Sequence, residues 1–153
     1  MRKKLVPCSL FVAFAFSFSL FGEELNPVKD AALLNGGIIV TLDLTDATQL
    51  EELASNPSLR IQALLEENEA IEPLRKSIHQ AGKYGQISVN PHNGSELPYI
   101  DNLVNLVICD QSTNIPRDEL LRVLTPHGIL YLKTDNGYER IVKPVPKGMD
   151  EWN

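Results

Sequence analysis

Four short runs of the chain are apolar almost throughout, with at most one polar residue each, rather than alternating: residues 38–42, 61–65, 103–109 and 129–132. A strand must be covered on both faces to be written this way, so the runs predict strands at the centre of a layered sheet. Residues 86–90 form a weaker strand. Between these runs the apolar spacing changes to three and four. Ile71, Leu74 and Ile78 mark one helix that ends near Ala81, and residues 47–54 and 118–124 mark two more. Asn26 before Pro27 fits an N-cap with proline at the first helical position, opening a short leading helix that Asn35-Gly36-Gly37 stops. Pro73 lacks a donor and crowds the carbonyl four residues back, so the regular part of its helix is expected from about Ala70, with Gly82 closing it. Thr125-Pro126-His127-Gly128 is expected as a turn leading out of the last helix.

Strands and helices then alternate as βαβαβ followed by β, α, β. This order predicts an α/β fold, a Rossmann-like, doubly wound and mostly parallel sheet with right-handed crossovers. Asp135-Asn136-Gly137 is a tight hairpin signal that sends residues 138–142 back as an antiparallel edge strand. Residues 144–153, opening on Pro144-Val145-Pro146, read as a linker or the start of a further C-terminal region.

The first 22 residues differ from the rest. Arg2, Lys3 and Lys4 precede an apolar stretch over residues 5–21, which predicts a secretory signal, or an anchor in the membrane if it is not cleaved. The expected location is exported, periplasmic or secreted, with residues 23–143 as the folded domain. Removal of residues 1–22 leaves 11 basic and 20 acidic groups, net -9, and Cys109 as the sole cysteine. No internal disulfide is then available, and no basic run outside residues 2–4 suggests a nucleic-acid partner. His79, His92 and His127 show no ligand spacing, so no metal site is expected. Walker, G-x-G-x-x-G and G-x-S-x-G signatures are absent, which disfavours NTPase, NAD-dehydrogenase and hydrolase chemistry.

Residues 97–107, Leu97-Pro98-Tyr99-Ile100-Asp101-Asn102-Leu103-Val104-Asn105-Leu106-Val107, and 121–130, Leu121-Arg122-Val123-Leu124-Thr125-Pro126-His127-Gly128-Ile129-Leu130, resemble the fourth- and fifth-strand signatures of class I S-adenosylmethionine-dependent methyltransferases. The resemblance covers residues 36–133. Lys143-Pro144-Val145-Pro146 and Asp150-Glu151-Trp152 are also similar to the junction that precedes a quinoprotein-type (PQQ-like) β-propeller in large exported proteins, which implies such a propeller as partner.

The resemblance implies cofactor contacts at the turn after the first strand, where the family has glycines. This chain has Asp43-Leu44-Thr45-Asp46-Ala47 instead. Side chains at Asp43 and Thr45 would fill ligand space, and the residues equally suit a helix cap by Asp46 or Thr48 with Gln49 or Glu51 completing a capping box. Glu66 and Glu67 follow the second strand, where a carboxylate would grip ribose hydroxyls; a solvated first turn of helix is the alternative. After the third strand the resemblance implies an adenine contact at Asn90 or Asn93, either of which could accept through its amide oxygen, and Asn93-Gly94 equally suits a turn. Asp110, beside Gln111 at the end of the fourth strand, is the candidate general base or orienting group. Cys109 reads as a small buried hydrophobe. Three functions remain open: a degenerate, non-catalytic scaffold or interaction module, an active methyltransferase acting on an unknown acceptor, and a binding domain for another small molecule.

Overall fold

The computed structural model describes residues 25–66 and 68–145, so the expected signal or anchor over residues 1–22, Glu67 and residues 146–153 lie outside the described residues. Ten elements follow in order: α1 (Pro27–Leu33), β1 (Gly37–Leu42), α2 (Ala47–Leu53), β2 (Leu59–Leu65), α3 (Asn68–Gln80), β3 (Ile87–Pro91), β4 (Val104–Asp110), α4 (Arg117–Val123), β5 (Leu124–Thr134) and β6 (Gly137–Val142). They build one six-stranded sheet in the order β3-β2-β1-β4-β5-β6. All neighbours are parallel except β5 and β6. This is the Rossmann-like arrangement with an antiparallel edge, and the chain reverses direction across the sheet between β1 and β4.

The apolar runs serve two cores. Ile39, Ile61, Ala63 and Leu65 pack under α1, α2 and α3 with Leu50, Leu53, Leu74 and Ile78. Val40, Leu64, Val107 and Leu130 face the other way, against Leu120 and Val123 of α4. No helix joins β3 to β4. Residues 92–103 cross the sheet as a strap, and its Leu97, 4% exposed, inserts into the second core.

Three local expectations are revised. Thr125–Gly128 is not a turn: β5 runs through it, with a register shift against β4 between Val104 and Leu106. Two local features explain the bulge. His127 takes φ 63, and a Cβ on buried Gly128 would stand 2.8 Å from the Thr125 carbonyl oxygen. Helix α3 begins at Asn68 rather than Ala70 and retains Pro73 inside it. The bond that proline forfeits would have gone to the carbonyl of Glu69, and both residues are exposed, so the orphan oxygen is open to solvent. Finally, Asp46 does cap α2, accepting from the N–H groups of Thr48 and Gln49, but Gln49 Nε2 donates to the Tyr138 hydroxyl at 3.0 Å instead of completing a capping box.

Candidate functional site

In an open parallel sheet the carboxyl ends of the strands at the reversal point form the crevice where ligands bind. Asp43 follows β1 directly. Its backbone is left-handed at φ 55, a conformation that costs most L-residues about 1 kcal/mol and that Asp tolerates by local hydrogen bonding. The Asp43 N–H donates to the Leu64 carbonyl, and its Oδ1 accepts from the Glu66 N–H at 2.9 Å. The ends of β1 and β2 are therefore tied by the side chain that occupies the expected glycine turn.

Glu66 is the centre of a wider set of contacts. Its carboxylate accepts from Asn114 Nδ2 at 3.4 Å, across the crevice from the β4–α4 loop. The Asn93 amide lies against the carbonyls of Glu66 and His92, and in the orientation that turns its nitrogen toward them it donates to both, at 3.2 and 3.0 Å. The His92 N–H donates to the Leu65 carbonyl at 2.9 Å. Asp43, Glu66 and Asn93 are thus brought together from three strand ends. Thr45 joins Asp43, Leu65, Glu66 and Ala70 around a cleft of about 280 Å³. Small-molecule sites occupy about 300–1,000 Å³, so this cleft falls just below that range. Glu67 lies outside the described residues.

Asp110 does not join this group. It lines a separate open cleft of about 540 Å³ with Gln111, Ser112, Lys133, Thr134 and Asp135. Its Oδ1 accepts from the Ser112 hydroxyl at 2.6 Å and from the Ser112 N–H at 2.9 Å. These hydrogen bonds, the hydroxyl first, hold its carboxyl below the usual carboxylate range, and nearby Lys133 adds to them. An ionised carboxylate already accepting two bonds is a poor proton acceptor at neutral pH. Next to it Cys109 is 2% exposed, and burial pushes its thiol up to about 12, which suits a buried hydrophobe and not a nucleophile.

Sequence reasoning missed Asn114, because a lone Asn in a Thr-Asn-Ile-Pro loop carries no spacing signal. It also missed a polar knot on the face that α1, α2 and α3 cover. The hydroxyl of Tyr131, 1% exposed, donates to Asp30 Oδ2 at 2.8 Å, and Arg140 Nε donates to the same oxygen at 2.7 Å. Burial alone would raise the Asp30 carboxyl, but the bonds from Arg140 and Tyr131 and the charge of Arg140 outweigh it and bring it below the ordinary value. Two buried polar atoms have no partner among the described residues, Thr41 Oγ1 and His92 Nε2. No group of three or more potential metal ligands occurs among the described residues, and no helix there is long and apolar enough to cross a membrane.

No family model and no curated protein matches the chain. Solved structures do. A SAM-dependent methyltransferase from Aquifex aeolicus superposes with a TM-score of 0.58 at 19% identity, over 69% of this chain and 60% of the other. The cyclase SpnF gives a TM-score of 0.58 at 20% identity, over 69% and 41%. The YcgJ protein from Bacillus subtilis gives 0.56 at 16% identity, over 69% and 47%. The chain has the methyltransferase-like Rossmann fold, and it spans about half the length of the proteins it matches.

Proposed function

We propose that the chain is an exported, methyltransferase-like module that acts as a scaffold or interaction domain and not as a catalyst, placed ahead of a quinoprotein-type propeller. The observation that carries this reading is the tie between Asp43 and Glu66. S-adenosylmethionine needs backbone approach at the turn after β1, and here a left-handed Asp43 directs its carboxylate onto the neighbouring N–H. With Thr45 and Glu66 it lines a cleft of about 280 Å³. The residues present do not fit the cofactor, so no methyl-transfer step is assigned to them.

The active-enzyme alternative would rely on Asp110, whose two bonds to Ser112 leave it a weak base and whose cleft is not shared with Glu66. That a cyclase and a methyltransferase both superpose on this chain agrees with the general rule that fold alone does not fix activity. Calorimetric titration of the full chain with S-adenosylhomocysteine tests the reading. No saturable heat at millimolar ligand is expected. Micromolar binding that disappears in Glu66→Ala would reject the scaffold reading and restore the methyltransferase.

A further inference from the structure

Among the described residues the sheet has two edges with no further strand beside them, and they are built differently. Edge strand β3 is short, ends on Pro91, and has its Val89 carbonyl covered by Arg75, which donates from Nε at 3.0 Å and from Nη2 at 2.8 Å. Such devices keep an edge from pairing with another chain. At the opposite edge, β6 pairs with β5 along its whole length and is the last strand of the sheet among the described residues. The Lys143 N–H and carbonyl both bond inward to β5, at Gly128 and His127. Antiparallel alternation then turns the backbone groups of Tyr138, Arg140 and Val142 outward.

Beside this edge, on the face that α1, α2 and α3 cover, lies a groove of about 550 Å³ between α1 and the β5–β6 hairpin. Leu25, Ala32, Leu33 and the Tyr131 ring form its apolar walls, and Leu33 is 80% exposed. Val142, 41% exposed, shares the side of the sheet on which Arg140 lies. Arg140 lines the groove, holding Asp30 through Nε, and its guanidinium carries five donors, enough for a second carboxylate.

We propose that β6 and the α1 groove together form a docking site for an extended peptide strand, which adds to the β6 edge, places alternate apolar side chains in the groove and sets an acidic residue against Arg140. Strand addition of this kind takes affinity from main-chain bonds and specificity from the pockets that receive every second side chain. The proposal rests on the interaction-domain reading and names the surface that reading would use.

The probe is a labelled eight-residue peptide of alternating valine and threonine with one central glutamate, titrated into the full chain by fluorescence anisotropy. Saturable micromolar binding is expected, weakened about tenfold by Leu33→Lys or by exchanging the glutamate for lysine. N-methylation of alternate amides along one peptide edge should abolish binding, and methylation along the other edge should not. Binding indifferent to which edge is methylated, no binding at all, or a dimer of the chain that shields β6 and excludes the peptide would each overturn the proposal. The edge is remote from the rim, so cofactor binding with the peptide still docking would reject the scaffold reading alone. A silent peptide alongside a silent cofactor titration would reject only the docking site.

Discussion

The two ends of the sheet are both closed by polar ties, but with different materials. At the amino end the ties reach part-buried carbonyls where helices give way to strands. Lys83 Nζ and Gln86 Nε2 donate to the Ala54 carbonyl, Asn56 Nδ2 to Leu34, and Lys143 Nζ to Leu124 at 2.7 Å. There Arg122 donates to Glu119, Asp101 and the Tyr99 carbonyl, and Glu119 accepts the Leu97 N–H at 2.6 Å, so the strap across β3 and β4 is clamped at several points. At the carboxyl end the ties are exposed and join one strand end to the next through Asp43, Glu66 and Asn93. In an open parallel sheet, ligand-binding groups are sought at the second end, while the first holds the fold together. Here the groups of the second end are also engaged with one another, but by bonds that water competes for.

The comparison breaks most visibly at Gly37. The Asn105 amide lies where a Cβ on this residue would be, 2.0 Å from Asn105 Oδ1, and the glycine sits at φ 130. Asn105 cannot swing aside without losing the bond that its Oδ1 accepts from Ile38 N–H at 3.0 Å. Gly37→Ala should cost about 3 kcal/mol in urea unfolding, the largest effect of the set. Glu119→Ala comes next. It leaves the Leu97 N–H without its acceptor and removes one of the two carboxylates that Arg122 holds, Asp101 being the other, and should cost about 2 kcal/mol.

The same carboxylate sets a pH dependence. The Arg122 hydrogen bonds, joined by the Leu97 N–H and opposed by burial, lower Glu119 from 4.5 to about 2. A depressed folded-state value means that its stabilisation is complete above pH 4.5 and is lost as pH falls toward 2. Asp30 and Asp110 are lowered too, so the diagnostic is the difference between proteins. Urea midpoints measured from pH 6 to 2.5 should fall less steeply for Glu119→Gln than for the parent chain.

These amino-end features explain what the sequence could convey. Strand positions were legible because a nearly continuous apolar run such as residues 38–42, with Thr41 its one polar member, has one economical use, a strand covered on both sides. The edge hairpin was legible from Asp135-Asn136-Gly137 for a similarly local reason. Asn35-Gly36-Gly37 read correctly as a helix stop, yet the need for Gly37 comes from Asn105, a contact between residues far apart in the chain. The Thr125–Gly128 bulge was misread as a turn because Pro and Gly mark both, and the choice was made by pairing with β4 and β6. At the rim, residue types placed Asp43, Glu66 and Asn93 at strand ends but said nothing of their mutual bonds. Asp110 was singled out by position, whereas Ser112, two residues on, decides its chemistry.

The rim supplies the smallest effects and the sharpest test of the contrast. Asp43 combines a left-handed backbone with a side-chain acceptor, and the two contributions can be separated by choice of substitute. Alanine loses the bond to the Glu66 N–H and meets the full penalty at φ 55, so Asp43→Ala should cost about 1.5 kcal/mol. Asparagine tolerates the same backbone region and retains an acceptor oxygen, so Asp43→Asn should remain within about 0.5 kcal/mol of the parent. Glycine removes the backbone penalty along with the bond, and it should fall between the two. Urea unfolding of the three variants in parallel measures the series. If all three destabilise as strongly as Glu119→Ala, the rim contributes to stability as the amino end does and the contrast fails. If the order is Asn, Gly, Ala with effects this small, the tie at the end of β1 closes the crevice without being needed to hold the fold.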